Sequence, residues 1–184
     1  MIEVTALEIE NVGQVVPIYE KYIDGGSFVR EGLYESFAAP GFIGYQALAD
    51  GEMVGFFTGS SLLEFTVPHP ELEKEILEIT GGEELFVVSS MLVLPAYRHY
   101  GIAHRFCEQV RQDLKEKGVR YFLAEIWIFP DGSIPSQHVY EEIGEIVYQK
   151  RVDGFYTEGY KYGVVCAVCG EHCKCGALLT LMRI

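Results

Sequence analysis

The 184-residue chain is 49% hydrophobic and 22% charged, with Gly 20 and Pro 7, a balance that supports a folded core and excludes a disordered or fibrous chain. A net charge of −13 opposes contact with a phosphate backbone, so no nucleic-acid partner is expected, and the acidity suits either solubility alone or a cationic acceptor. Residues 1–8 carry no basic or apolar leader and no apolar run reaches membrane-spanning length, so the sequence predicts no membrane partner, a cytoplasmic location, and reduced thiols or metal ligands for Cys 5.

Alternation over residues 2–7 predicts a first strand. Asn11 reads as the cap of a helix with Val12, Val15, Val16, Tyr19, Tyr22 and Ile23 at helical spacing. Pro17 should start or kink that helix, and Gly25-Gly26 should end it. Residues 28–42 read as a short helix and loop. Residues 45–49 and 53–58 read as a hairpin about Asp50-Gly51. Residues 62–82 look inserted. There Pro68-His69-Pro70 opens to a helix with Leu72, Ile76 and Ile79 on one face, and Glu71, Glu73, Glu75 and Glu78 toward water.

Residues 85–94 form a near-continuous apolar strand closed by Pro95. Residues 101–117 form an amphipathic helix in which Ala103, Cys107, Val110 and Leu114 recur, with Ile102 and Phe106 beside them; Gly118 stops it. Residues 121–129 read as a buried strand, 135–143 as a helix ended by Gly144, 145–152 as a strand, and 160–184 as a hairpin with cysteines in or near its turn. This order implies a mixed α/β (α+β) fold with a partly antiparallel sheet. It is read as one domain over 1–184 with a Cys-rich C-terminal hairpin at 160–184.

Chemistry concentrates in residues 91–106. A buried strand runs into a loop and then a helix start, whose free N–H groups and partial positive charge favour an anion. Gly101 permits close backbone approach, Ala103 is small, and Arg98, His99, His104 and Arg105 bring positive charge to an acidic chain. A pyrophosphate is the natural guest. Taken alone, Arg-x-x-Gly-x-Ala reads more readily as an ordinary strand-to-helix connection with a solvated Arg.

Here the chain resembles the GNAT acetyltransferases. Their signature is Val-x-Pro ending a strand, then Arg/Gln-x-x-Gly-x-Gly/Ala opening a helix. This chain has Val93-Leu94-Pro95, then Arg98-His99-Tyr100-Gly101-Ile102-Ala103. Residues 49–59 look like the family's second and third strands. The family's Asn-x-x-Ala-x-x-Leu-Tyr-x-x-x-Gly-Phe becomes Ser133, Ser136, Val139, Tyr140, Gly144 and Glu145. The resemblance implies a central mixed, mostly antiparallel twisted sheet flanked by helices, and acetyl-CoA as cofactor. By resemblance, backbone groups of Leu92, Val93 and Leu94 pair with the pantetheine amides. Amides of Arg98, His99, Tyr100, Gly101, Ile102 and Ala103, with His104 next to them, hold the pyrophosphate. Ser133 and Ser136 occupy pantetheine-contact positions, where their departure from the family pattern loosens the match. Tyr140 donates a proton to the leaving thiolate, or else simply packs on the sheet.

The acceptor implied is a primary amine of a small molecule or peptide, with pocket walls from residues 28–42 and 62–82. A homodimer is left open. The base is not readable from the pattern. Glu84 begins the strand carrying the signature, and Glu125 lies among apolar residues where burial would raise its pKa. Glu125 reads alternatively as a paired structural carboxylate, and a water chain could replace a direct base. A second reading of the whole is a non-catalytic acyl-CoA-binding or regulatory module with a metal-binding or interaction tail. Neither Gly-x-Gly-x-x-Gly nor Gly-x-x-x-x-Gly-Lys-Ser/Thr occurs, which argues against Rossmann and P-loop nucleotide sites.

The tail places Cys166, Cys169, Cys173 and Cys175 around His172. Four thiolates suffice for tetrahedral zinc, although the spacing is not that of paired zinc knuckles. An iron–sulfur cluster, free thiols and redox pairs remain alternatives. Cys107 reads as packing.

Overall fold

The computed structural model describes residues 1–62 and 70–184; Pro68 and His69, read as the opening of the inserted helix, lie outside them. In chain order the elements are β1 (Ile2–Ala6), α1 (Val12–Tyr22), α2 (Val29–Ala38), β2 (Phe42–Ala49), β3 (Glu52–Leu62), α3 (Pro70–Thr80), β4 (Leu85–Val93), α4 (Ile102–Lys117), β5 (Tyr121–Ile128), α5 (Gln137–Tyr140), β6 (Glu145–Val152) and β7 (Gly176–Arg183). The strands form one sheet in the order β1-β2-β3-β4-β5-β7-β6. Every neighbouring pair is antiparallel except β4 and β5.

Side-chain alternation divides the core between the two faces of this sheet. On one face Ile102, Phe106, Val110 and Leu114 of α4 pack against Phe57, Phe86, Phe122 and Ile126. On the other, Val12, Val15 and Val16 of α1 and Leu33 and Phe37 of α2 cover Met53 and Phe56. Leu72 and Ile76 of α3 cover Leu85, Leu123, Leu179 and Leu181 on that same face. Gly59 is required where β3 crosses Phe86, because a Cβ there would lie 2.4 Å from the ring and 2.6 Å from the Val87 oxygen.

Several expectations are corrected. The tail is not a self-contained hairpin over 160–184: β7 runs between β5 and β6, and its partner before the cysteines is the strand Glu145–Val152. The helix expected over 135–143 shrinks to Gln137–Tyr140, because residues 129–133 close a turn in which Asp131 Oδ1 accepts from the Ser133 N–H at 2.9 Å and hydroxyl at 2.7 Å. On α3 the buried stripe is Leu72, Ile76 and Thr80, and Ile79 is 38% exposed; the four-residue step fits the helix repeat better than the 76-to-79 step assumed. Glu75 does not face water alone, since it accepts from Tyr148 and, at 2.9 Å, from Lys150, pinning α3 to β6. Pro17 lies inside α1, whose helix runs on through it to Tyr22.

Phe122 is fully buried and stacks on Phe86 with ring centres 5.6 Å apart, with Tyr140 at 6.1 Å on its other side. Phe122→Ala should therefore lower the unfolding free energy by about 3–5 kcal/mol, read from urea denaturation. A loss well under about 1 kcal/mol would contradict this packing.

Candidate active site

β4 and β5 run parallel only at Leu85/Tyr121, Phe86/Phe122 and Val87/Leu123. Beyond those pairs no ladder joins them among the described residues, although β4 continues to Val93 and β5 to Ile128. The register of β3 on β4 also shifts between Thr58 and Gly59, so Ser89 is left out of the pairing as a bulge. The sheet is thereby split from the middle of these strands to their C-terminal ends. Leu92 and Val93 remain paired to β3 on one side, opposite Phe56 and Gly55, and face the split on the other. Leu94 donates its N–H to Val54 O at 2.9 Å. These are the three residues predicted to present backbone groups to a pantetheine.

At the open end, Pro95 begins a short turn and the chain reaches α4 through His99 at φ 67 and Gly101 at φ 75. Two left-handed residues flanking Tyr100 make the chain curl just before the helix start, where N–H groups lack helical acceptors. A Cβ on Gly101 would meet nothing within 4 Å, so the space beside it is open. The side chains divide. Arg98 turns its Nε back to Val93 O at 3.2 Å, His104 Nδ1 lies 2.7 Å from Glu142 Oε2, and Arg105 reaches Ile2 O at 3.0 Å. Tyr100 is exposed, Ile102 is buried, and Ala103 is half-buried rather than central to the apolar stripe. The loop thus offers backbone N–H groups to an anion more than it offers free cations.

Tyr140 and Glu125 sit on opposite faces. Tyr140 is buried with Phe122 and Ile143 on the α4 side, and burial, followed by the neighbouring Cys107, pushes its phenol well above the usual range. It stays protonated at neutral pH and retains a proton to give. Glu125 shares its face with Leu123 and Trp127, and burial pushes its carboxyl up to about 7. No hydrogen bond or ion pair reaches it among the described residues, so the paired-carboxylate alternative finds no partner there. The nearby Tyr156 phenol is pushed far up by burial and then by the charge of Glu125. Glu84 is exposed before the first β4–β5 pair, at the closed end of the split, and drops out as a base.

Of the two serines at departed positions, Ser133 turns its hydroxyl onto Asp131, and Ser136 stands at the N-terminus of α5 with its side chain not capping the helix. Burial and then Glu142 push the Cys107 thiol up to about 12, in keeping with packing.

A pocket of about 290 Å³ opens on the Glu125 face. Tyr19 and Asp24 from the end of α1, Ser36 from α2, Ser89 and Ser90 at the bulge, and Tyr162 line it. The Asp24 carboxylate is held by N–H groups of Gly26 at 2.8 Å and Val165 at 2.7 Å. The expected wall at 28–42 is present, whereas α3 contributes none of the lining and the 159–163 turn contributes instead. Sequence reasoning missed Asp24 and Tyr162 as site residues. The only local signal was Asp24 preceding Gly25-Gly26.

The four cysteines of the 166–175 loop converge, with sulfurs all within 4.8 Å of one another, on the same sheet face as Trp127 and Tyr156. His172 stands apart, its ring edge-on to Tyr160 at 5.9 Å.

A family model described as Acetyltransferase (GNAT) family matches residues 15–144. No curated protein matches the sequence. Among solved structures, Arabidopsis thaliana NAA60 with a bisubstrate analogue is similar at TM-score 0.68 and 18% identity, over 100% of this chain and 98% of that one. The ribosomal-protein-S18-alanine N-acetyltransferase of Escherichia coli is similar at 0.66 and 14%, over 100% and 94%. An agmatine N-acetyltransferase is similar at 0.68 and 10%, over 100% of each chain. At these identities the likeness is one of fold.

Burial without a partner has a thermodynamic signature. The Glu125 carboxyl rises from 4.5 to about 7, so folding disfavours its charged form. Stability is full below the unfolded value, falls as pH rises through about 7, and stays reduced above. Glu125→Gln should leave stability unchanged near pH 4 and raise it by about 3 kcal/mol near pH 8. Denaturation at the two pH values reads this, and an equal effect at both would contradict it.

Proposed function

This chain belongs to the GNAT acetyltransferase family, and from that premise we propose that it transfers the acetyl group of acetyl-CoA to a primary amine. The observation that carries the reading is the split between β4 and β5, with the Gly101 curl at its mouth and an amine-sized pocket on one face. The open space at Gly101 fits a diphosphate approaching the backbone N–H groups at the start of α4. The free edge of Leu92 and Val93 fits an extended pantetheine. A solved neighbour is NAA60 in complex with acetyl-CoA, at TM-score 0.67 and 17% identity.

The residues then divide the work. Asp24 and the pocket hydroxyls receive the amine as its ammonium ion. Glu125, which lies outside the pocket lining, takes a proton through water and frees the lone pair for attack on the thioester carbonyl. A β4 backbone N–H near Val93 steadies the oxyanion as the C–O bond gains charge. When the C–S bond breaks, Tyr140 gives its proton to the thiolate, the second proton that the nitrogen sheds as the amide forms returns to Tyr140 through water, and the proton held by Glu125 passes to solvent. The amine becomes an amide and free coenzyme A leaves. Fold neighbours named for ribosomal-protein-S18-alanine and for agmatine illustrate both acceptor classes, a protein and a small amine.

Two outcomes test this. Gly101→Val adds about 1–2 kcal/mol of left-handed strain, which the fold can bear, and should weaken acetyl-CoA binding about a hundredfold in calorimetric titration. Unchanged affinity would remove the loop from the site. With wild-type enzyme and a panel of amines, kcat/KM in a thiol-release assay should rise with pH and level off above about 7. Glu125→Gln should flatten that rise and slow turnover by about 10²–10⁴. Tight cofactor binding with no thiol release for any amine would make the protein a sensor rather than an enzyme.

A further inference from the structure

The 166–175 loop brings four sulfurs together where the fold has no need of them for packing alone. All lie within 4.8 Å of one another, and Cys169 and Cys175 are 3.5 Å apart. A disulfide would require about 2.05 Å. Tetrahedral zinc at about 2.3 Å from each sulfur would set the sulfurs about 3.8 Å apart, so the cluster is already close to the dimensions of a single-ion site. An iron–sulfur cluster would interpose several irons and sulfides and hold the cysteines further apart.

The surroundings fit thiolates better than thiols. The Val168 N–H donates to Cys166 Sγ and the Cys175 N–H to Cys173 Sγ, each at 3.4 Å. Such bonds from the residue two positions on strengthen when the sulfur is charged. The Trp127 indole packs on the same group, and its buried N–H is directed at the Cys175 sulfur. Cys166, Cys173 and Cys175 are buried, while Cys169 is half-buried and leaves a way in.

The same loop is tied to the pocket. Gly25 N–H bonds Val165 O at 2.9 Å and Ala167 N–H bonds Ile23 O at 3.1 Å, while Val165 N–H bonds the Asp24 carboxylate. Tyr162 and Gly163, just upstream, line the pocket. The chain that holds Asp24 therefore runs directly into Cys166.

We propose that Cys166, Cys169, Cys173 and Cys175 bind one zinc ion as a tetrathiolate, and that this ion fixes the pocket wall made by Asp24, Tyr162 and Gly163. Binding forms four Zn–S bonds and releases the thiol protons to solvent, with no change of oxidation state. The metal site stands on its own geometry; only the pocket's role as the amine site rests on the acetyl-transfer reading.

The full chain, purified without chelator, should carry about one zinc per chain by elemental analysis. Exchange for cobalt should give the intense thiolate-to-cobalt absorption of a tetrahedral sulfur site. Cys169→Ser, at the most accessible ligand, should lower zinc content. If that variant does not fold, stripping wild-type protein with a chelator and restoring zinc gives the same comparison. Metal removal should speed amide hydrogen exchange at 23–26 and 162–166, leave β1–β3 protected, and reverse on adding zinc. Stoichiometric iron, or no metal and a featureless cobalt spectrum after refolding with metal, would overturn the site. Bound zinc whose removal leaves exchange at 23–26 unchanged would overturn its role in the pocket. None of these readouts needs turnover, so an inert protein would sink the acetyl-transfer reading and leave the metal standing or falling separately.

Discussion

The site is built on two parallel strands that pair and then part. β4 and β5 share register through Val87/Leu123, after which β3 keeps β4 and β7 keeps β5. Interior strands of a sheet normally satisfy each other's N–H and C=O groups. Here two interior edges face across a gap, so an extended guest carrying amides can complete both. The bulge at Ser89 also reverses the parity of β4. Leu85 and Val87 before it pack toward α3, whereas Leu92 after it packs toward α1 and α2. This irregularity thus brings Ser89 and Ser90 to the pocket at the point where the strands separate.

The order of the last strands has a second consequence. Because β7 lies between β5 and β6, residues 153–175 must leave the edge strand and return beside β5. That crossing passes over the face carrying Glu125. It delivers Tyr156 next to the carboxyl, Tyr162 to the pocket and the cysteines against Trp127. A simple hairpin from β6 would have brought none of these groups to that face.

What could be read from the sequence was local. The strand–loop–helix of 85–118 announces itself through apolar period, Pro95 and glycines at both ends of α4, and the structure gives left-handed φ of 75 at Gly101 and 74 at Gly118. The two faces of the sheet and the burial of Glu125 were equally legible, since β5 is apolar on both sides of it. The insertion of β7 was not, because antiparallel pairing of 176–183 with both 121–128 and 145–152 leaves no mark in either segment. The pocket was hidden for the same reason. Asp24 and Val165 meet across 141 positions of chain, and no pattern near either residue records the bond.

Glu125 shows how stability and chemistry pull apart. Glu75 has Lys150, Glu83 has Arg120, and Glu145 has Arg183. Glu125 is more enclosed than any of them and has no cationic partner among the described residues, an arrangement that costs folding free energy at neutral pH. A carboxyl kept only for structure would gain from a partner or from replacement by an apolar residue. One that must lose its proton to solvent and regain one from an ammonium ion near pH 7 gains from having neither. Tyr140, on the other face of the sheet, is shifted upward by burial as well, and as a phenol it holds its proton firmly. Under the proposed reaction the proton enters Glu125 from the amine face and leaves Tyr140 toward the sulfur, so the split sheet separates base from acid as well as admitting the cofactor.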